Sequence, residues 1–467
     1  RSPPAVALAL LVALPACSDW PTAPVDELTA DPAVQATEKV QCAPDNAGIT
    51  LPPGFCAAVV ADLVMDGQPA RARHMAVTPS GNLFVAINSP GNRNPSFGII
   101  GLRDRDGDGD ADEQTQFSAN LGGSGIAWGQ GRLYFGANDR VLRYNLPAGR
   151  LTPNGAPETV VSGLPNTDDH ISKTVVLDGP HTLFVNIGSG SNSCQLVDRT
   201  PNSPGVFPCP EMPIRAGVWR FDARGTNQSQ SDGERWATGV RNGVALAVNP
   251  RDGELYGVPH GRDQLFEHWP QFYTQQDDAV LPSEEFVHLG RGSDTGWPYC
   301  YFDDSEISPE GAANPAFRGK VLAPEYGGDG TIVSGGPHNI DCASYNMPLV
   351  NFGAHWAPNG LHFYTGDQFP ERYHGGAFVA FHGGFDRAPF PNEGYQVAFV
   401  PVDANGRPTG EWETFADGFA GSAGPLPATA LHRPVGVTEG PDGSLYVSDD
   451  RGGRVYRIVF KGQWVTA

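Results

Sequence analysis

Residues 433–447 read RPVGVTEGPDGSLYV: a polar residue, an apolar run, a Pro/Asp/Gly turn, then Leu-aromatic-Val. Two such runs joined by turn residues are the pattern of a β-hairpin. The unit recurs as residues 73–85 (RHMAVTPSGNLFV), 241–258 (RNGVALAVNPRDGELYGV) and 170–185 (HISKTVVLDGPHTLFV). Weaker copies are residues 123–137 (GSGIAWGQGRLYFGA) and a stretch starting at His355 (HWAPNGLHFYTG). The six starts are separated by 50, 47, 71, 114 and 78 residues, so each interval holds one small sheet, alone or with an insertion. A sheet of this kind cannot bury both faces alone, and arranging six radially covers the faces and protects the edges. The expectation is an all-β fold, a six-bladed β-propeller. The residue entering each innermost strand then lies near the axis at one end, so Arg73, Ser124, His170, Arg241, His355 and Arg433 should converge. Three arginines and two histidines around one pocket suit an anion.

Composition agrees. Gly and Pro make up 59 and 43 of the 467 residues, too many breakers for an all-α chain. The net charge is −21 and the lysines are Lys39, Lys173, Lys320 and Lys461, which excludes a phosphate-binding surface and hence nucleic acid as partner. Residues 5–16 (AVALALLVALPA) are too short to span a bilayer but suit a signal-peptide core. Residues 14–17 (LPAC) resemble a bacterial lipobox, which implies lipidation at Cys17. The chain accordingly divides into a signal peptide (1–17), a flexible Pro/Ala/Thr-rich tether (18–40) and a propeller domain (41–467). A periplasmic or cell-surface lipoprotein is expected, with plain secretion as the alternative and membrane contact through the lipid anchor alone. Six further cysteines in an oxidising compartment should form disulfides, with sequence neighbours pairing: Cys42 with Cys56, Cys194 with Cys209, Cys300 with Cys342. There is no C-x-x-C-H for covalent haem, and no G-x-S-x-G, H-E-x-x-H or P-loop pattern.

Several stretches together resemble the glucose/sorbosone dehydrogenases, six-bladed propellers that use pyrroloquinoline quinone (PQQ). They are residues 239–242 (GVRN), 260–263 (HGRD), 292–301 (GSDTGWPYCY), 353–366 (GAHWAPNGLHFYTG), 377–387 (AFVAFHGGFDR) and 433–450 (RPVGVTEGPDGSLYVSDD). The likeness covers roughly residues 51–460 and is nearest to the L-sorbosone dehydrogenase-like branch, whose HGSWNR is similar to HGGFDR here. The resemblance implies that Arg241 and Arg433 hold the carboxylates of PQQ, with Arg73 a weaker candidate. It implies a neutral hydrogen bond from Asn242, with His355, His382 and Arg387 nearby. Guanidinium forks match carboxylates bidentately. A Ca²⁺ that polarises the quinone would be bound by the backbone carbonyls at Gly261 and Arg262, hard oxygen ligands for a hard cation. His170 aligns with the general base, and Asp169 before it also matches; an imidazole can take a hydroxyl proton while hydride leaves the same carbon. Two positions depart from the family. Ser189 stands where a carboxylate orients this histidine in soluble glucose dehydrogenases, and Leu431 where one of their paired arginines stands; a lysine that contacts the quinone there has no counterpart.

The implied function is a PQQ-dependent dehydrogenase oxidising a sugar or a sugar-derived aldehyde or alcohol, of the sorbosone or aldose type. Its electrons would pass to an external acceptor, a cytochrome or quinone. Fold alone leaves open a calcium-dependent propeller lactonase or other hydrolase, and a non-catalytic binding module. Separately, residues 104–112 read DRDGDGDAD. Asp104, Asp106, Asp108, Asp110 and Asp112 fall at positions 1, 3, 5, 7 and 9 around Gly109, as in the first part of a Ca²⁺ loop. The twelfth position is Thr115, so the EF-hand pattern is incomplete, and the expected role is structural, clipping an insertion between the first two blades.

Overall fold

The computed structural model describes residues 39–88, 98–118, 121–167, 169–304, 318–422 and 424–462. The signal-peptide and Cys17 expectations, and residues 18–38 of the tether, lie outside the described residues. Each hairpin unit read from the sequence forms the two inner strands of an antiparallel sheet, and there are six such sheets. Blade 1 runs Arg71–Val77, Leu83–Asn88, Gly98–Arg103, Glu113–Phe117. Blade 2 runs Gly123–Gly129, Arg132–Ala137, Arg140–Asn145, Glu158–Ser162. Blade 3 runs Val175–Asp178, Thr182–Ile187, Gly217–Asp222, Glu234–Thr238. Blade 4 runs Ala245–Val248, Leu255–Val258, Glu284–His288, Val350–Phe352, and blade 5 runs Pro358–Phe363, Ala377–His382, Tyr395–Val400, Glu413–Ala416. Blade 6 takes three strands from the end of the chain, Pro434–Glu439, Leu445–Asp449 and Arg454–Phe460.

Its fourth strand is the first long strand of the chain. Phe55–Asp62 pairs antiparallel with Arg454–Phe460, Phe55 opposite Phe460, and closes the ring. Phe55 also packs edge-on against Phe369, Tyr373 and Phe415, with ring centroids 4.8, 5.5 and 5.2 Å away. The first strands of neighbouring blades pack on one another all the way round, and an axial cavity of about 340 Å³ is lined by all six. Second strands such as Thr182–Ile187 and Leu445–Asp449 are buried along their whole length because neighbouring blades cover both faces, so they carry apolar residues at consecutive positions, Leu183–Phe184–Val185 and Leu445–Tyr446–Val447, without alternation.

Because each first strand starts at the same end of the axis, the loops joining second to third strands also lie there. In blade 3 that loop is residues 188–216, stapled by Cys194–Cys209; in blade 4 it is residues 259–283, with helices Leu265–His268 and Gln275–Val280. Between the last two strands of blade 4 a further insertion carries the hairpin Cys300–Asp304 with Arg318–Leu322 and the Cys300–Cys342 disulfide. Cys42–Cys56 ties the segment before the ring-closing strand to it, so the three disulfides join the sequence neighbours expected. No helix among the described residues is long and apolar enough to cross a membrane.

The aspartate-rich loop departs from expectation in position. It joins the third and fourth strands of blade 1, at the end of the axis remote from the first-strand starts, and it faces blade 6 instead of an insertion before blade 2. The Ala111 amide donates to the Val60 carbonyl at 2.9 Å, and Gln41 N–H to the Asp108 carbonyl at 2.6 Å. Asp104 accepts from the amides of Gly107 and Gly109 at 2.7 and 2.9 Å and from Arg457 at 3.2 Å.

Candidate active site at the axial mouth

The polar residues at the starts of the inner strands form two groups. On the blade 3 to blade 5 side, Arg241 is buried with its guanidinium largely committed. It donates to the Asn192 carbonyl at 3.0 Å, to Asn192 Oδ1 at 2.9 Å, to Asp263 Oδ2 at 2.8 Å and to the Gly261 carbonyl. Asp263 also faces Arg199 at 3.5 Å and His355 Nδ1 at 3.9 Å. Burial opposes charge on both partners, yet the ion pairing wins. Arg241, His355 and Arg199 hold Asp263 well below the usual carboxylate range, and Asp263, Asp278 and Asp386 push His355 up to about 9. Asp169 pairs with Arg199 at 3.2 Å.

His170 stands in the same group, in the left-handed region at φ 50°. The approach is tight: a Cβ on Gly188 would sit 2.5 Å from His170 Cβ, so glycine is required where blade 3 turns into its long loop. His170 Nδ1 lies 2.9 Å from Ser189 Oγ and 3.1 Å from the Ser189 carbonyl. A carbonyl only accepts, and Ser189 Oγ donates its own proton to the Ser191 carbonyl at 2.7 Å. Nδ1 therefore carries the imidazole proton, and Nε2 keeps its lone pair with no partner among the described residues. Burial, then the Arg241 charge, push the His170 pKa well below its ordinary value, so the ring is neutral at neutral pH.

The second group gathers blades 1, 2, 5 and 6. Arg73 pairs with Asp450 at 2.7 Å and donates to Ser124 Oγ at 3.4 Å. His382 Nε2 meets the other Asp450 oxygen at 2.6 Å, and Arg433 donates to the carbonyls of His382 and Gly383 at 2.8 and 3.0 Å. Burial and the Arg433 charge lower His382 to about 4. Asn359 links the two groups, its carbonyl accepting from His74 Nε2 at 2.6 Å and its Oδ1 lying 3.1 Å from His260 Nε2. Beside Arg433 a cleft of about 840 Å³ opens to the surface.

Not every residue named from sequence faces this mouth. Arg387 turns into the loop that carries it, donating to the carbonyls of Ala279, Ala354 and Pro391 at 3.0, 3.3 and 3.1 Å and pairing with Glu393 at 3.0 Å. It fixes the blade 5 loop on the blade 4 helices. The Arg262 side chain is buried in an ion pair with Glu325, which also accepts from Trp269 and Ser193 at 3.0 and 2.9 Å. Asn242, next to Arg241, keeps a buried Oδ1 with no partner. Sequence reading passed over Asn192, Asp263, Glu284 and Asp450 as site residues. Asp263 and Asp450 lay inside the quoted HGRD and SDD stretches, whereas Asn192 and Glu284 sit in no motif. Glu284 accepts from the amides of Gly261 and Ala357 at 2.8 and 3.2 Å, and burial raises it to about 7.

Asp278, His355 and Asp386 bring ligand atoms within 4.8 Å of one another. His355 Nε2, however, donates to the Asp278 carbonyl at 2.7 Å and Nδ1 faces Asp263, so this imidazole is a cation in an ion-paired cluster and offers no lone pair to a metal.

A family model described as TrAA12-like matches residues 49–461. Among solved structures, the iodide structure of the Trichoderma reesei member of Carbohydrate-Active Enzymes Family AA12 superposes with TM-score 0.68 at 19% identity, covering 88% of this chain and 98% of that one. The holo form of the pyranose dehydrogenase PQQ domain from Coprinopsis cinerea superposes with TM-score 0.67 at 22% identity, covering 88% and 97%. These likenesses are in fold. An uncharacterized protein of Borreliella burgdorferi is 27% identical over 297 residues, 63% of this chain, and the match spans 62% of that relative's length.

Proposed function

The chain belongs to the TrAA12-like family, and from that premise we propose that it is a PQQ-dependent dehydrogenase of sugars or sugar-derived aldehydes and alcohols, of the aldose or sorbosone type. The observation that carries the reading is the state of His170: proton on Nδ1, lone pair on Nε2, in a mouth that also presents guanidinium groups. The resident groups suit the cofactor. Arg433 donates to carbonyls and to no carboxylate among the described residues, so its fork remains available to one of the carboxylates of PQQ. Arg241 is less free than sequence suggested, with four of its five N–H groups engaged, and it contributes one N–H and its charge. The backbone carbonyls of Gly261, through its second lone pair, and of Arg262 are hard oxygen donors suited to Ca²⁺, and the Asn242 amide, its Oδ1 unpartnered, is left for a hydrogen bond to the cofactor.

When bound, PQQ supplies a two-electron acceptor and Ca²⁺ a Lewis acid. The chain's own part is proton handling. His170 Nε2 takes the proton of the substrate hydroxyl, and Ser189, through Oγ and its carbonyl, keeps the ring in the required tautomer and orientation. Two neutral acceptors thus do the orienting that a carboxylate does in soluble glucose dehydrogenases. Asp263 and the His355 cation fix Arg241, and Glu284 fixes the Gly261 turn. Electrons leave to an external cytochrome or quinone. The leader and Cys17 support placement outside the cytoplasm, on a lipid anchor or secreted. The test is whether protein supplied with Ca²⁺ takes up PQQ stoichiometrically and reduces it on adding sugar. Failure to bind PQQ would remove the dehydrogenase reading.

A further inference from the structure

Exposed apolar side chains are unevenly spread over the ring. Of the twelve large ones exposed among the described residues, nine lie in segments at the mouth end of the axis, whereas the turns and loops at the far end carry none. Single exposed apolar residues are ordinary, but a concentration of them on one face marks an interaction surface. Four of the nine border the blade 3 to blade 5 side of the mouth. Leu196 and Val197 on the blade 3 loop are 69 and 57% exposed, Phe272 on the blade 4 loop 44%, and Phe385 on the blade 5 loop 58%. Hydrogen bonds hold these loops edge to edge. Asn202 donates its N–H to the His268 carbonyl at 2.9 Å and accepts from Gln271 Nε2 at 2.8 Å, which ties the tip of the blade 3 loop to the segment before Phe272. Arg199 donates to Gln264 Oε1 at 2.6 Å and Gln264 N–H to Asp386 at 3.0 Å, which brings Phe385 to the same edge. Arg199 also pairs with Asp169, the neighbour of His170, so this rim borders the mouth itself.

Charge decides what covers the rim. Asp198, Glu267 and Asp386 stand among its apolar residues, and its guanidinium, Arg199, is neutralised by Asp169, Asp198 and Asp263 at 3.2, 3.9 and 3.5 Å. No lysine is near: Lys173 and Lys320 are buried, and Lys39 and Lys461 lie toward the far end. A chain of net charge −21 is repelled by an anionic lipid surface and by its own copies, whereas a cationic protein is attracted and steered to it. We propose that this rim is the docking surface for the electron acceptor, and that the acceptor is a basic one-electron redox protein that meets the rim with an apolar patch. Its redox role rests on the dehydrogenase reading, but the docking itself requires no cofactor. Oxidation of one CH–OH to C=O releases two electrons and two protons. Two acceptor molecules therefore dock in succession, each leaving reduced by one electron, while the protons pass to solvent.

The protein, with and without PQQ and Ca²⁺, is titrated calorimetrically with a basic mitochondrial cytochrome c and with an acidic plant-type ferredoxin, at low and high salt. The variant carries Leu196→Ser and Phe385→Ser, two exposed positions whose loss should leave the melting temperature unchanged. Cytochrome is expected to bind at least 10-fold more tightly than ferredoxin and to lose that advantage in high salt. Its affinity should fall about 5-fold or more in the variant, the loss usual for truncating side chains that carry an interface. In the loaded enzyme, stopped flow should show cytochrome reduction slowed to match, while reduction of PQQ by sugar and of a small dye by the enzyme keep their wild-type rates. Equal binding of the two redox proteins overturns the proposal, as does an unchanged cytochrome affinity in the variant. Binding to phosphatidylcholine vesicles, or a dimer by sedimentation, that the variant abolishes would give the rim to a bilayer or a second copy and also overturn it. For wild type that binds cytochrome through the rim but takes up no PQQ, the dehydrogenase reading falls and the docking surface stands.

Discussion

Replacing His170 by Asn separates the orientation of this side chain from its basicity. Asn tolerates the left-handed backbone at φ 50°, and its amide N–H can donate to the Ser189 acceptors that now hold Nδ1. What disappears is the lone pair of Nε2. The Nε2 atoms of the other imidazoles point to other acceptors, His74 to the Asn359 carbonyl at 2.6 Å, His260 to the Pro358 carbonyl at 2.9 Å, His355 to the Asp278 carbonyl at 2.7 Å and His382 to Asp450 at 2.6 Å. The full loss of a general base is therefore expected, about 10²- to 10⁴-fold in rate, or roughly 2.7–5.4 kcal/mol of barrier. The assay is single-turnover reduction of PQQ in the loaded enzyme by stopped flow, with cofactor uptake measured alongside and expected to be unchanged. The base acts in its neutral form, and burial with Arg241 depresses its pKa. The wild-type rate should therefore be flat at neutral pH and fall only as pH drops through a midpoint below 6.5. A His170→Asn enzyme that reduces PQQ at the wild-type rate, or a wild-type midpoint above the ordinary histidine value, would refute the reasoning.

Thiol titration of the denatured protein should find none of the six paired cysteines reactive. Among the bridges, loss of Cys300–Cys342, with a sequence separation of 42, should cost most, about 4 kcal/mol against about 3 for the separation of 14 at Cys42–Cys56 on the chain-entropy relation. Replacing Asp106 and Asp108 by Ala should lower the melting temperature in Ca²⁺ while turnover per folded molecule is kept, since the loop lies at the far end of the axis; binding at 100 times Kd stabilises by about 2.7 kcal/mol. Equal melting temperatures in excess Ca²⁺ would take the loop out of the metal sites. Glu284, raised by burial to about 7, favours the folded state most below its ordinary value of 4.5, and that contribution is lost as pH rises through 7. Glu284→Gln should flatten that part of the melting-temperature profile, and an unchanged slope would count against it.

The six blades were legible because each first hairpin is local: its apolar runs, turn and Leu-aromatic-Val lie within 20 residues, as in 433–447. The partner of Phe55–Asp62 was not, because the strand beside it lies at the other end of the chain and nothing in its own pattern names Arg454–Phe460. At the site, residues opening the inner strands could be aligned by their place in the repeat. Asn192 and Glu284 could not, since they reach the mouth from a long loop and from a third strand, at offsets no repeat fixes. Arg387 was grouped with His382 through adjacency in one motif, yet the chain between them turns and carries its guanidinium away from the cleft. Adjacency along a loop does not imply a shared direction. The Ser189 substitution was visible in sequence, but its meaning needed the Ser191 carbonyl, which settles which ring nitrogen holds the proton.

Ring closure by Phe55–Asp62 has a consequence for the order of assembly. Five blades consist of main strands that follow one another in chain order and can form as they emerge, whereas the sixth, whose outer strand is Phe55–Asp62, waits for Arg454–Phe460. Bringing Phe55 opposite Phe460 closes a loop of about 400 residues, an entropic charge of roughly 5 kcal/mol by the logarithmic relation if the chain between were unstructured, and far less once five blades have formed and narrowed the gap. The cheapest route therefore makes this pairing last. Until then Phe55–Asp62 and the bare edge of blade 6 are two unsatisfied strand edges on one molecule, each able to pair with its counterpart on another copy. Refolding yield should accordingly fall as protein concentration rises, with dimers joined by an exchanged first strand as the competing product, while the finished ring, once latched, offers no such edge at that seam.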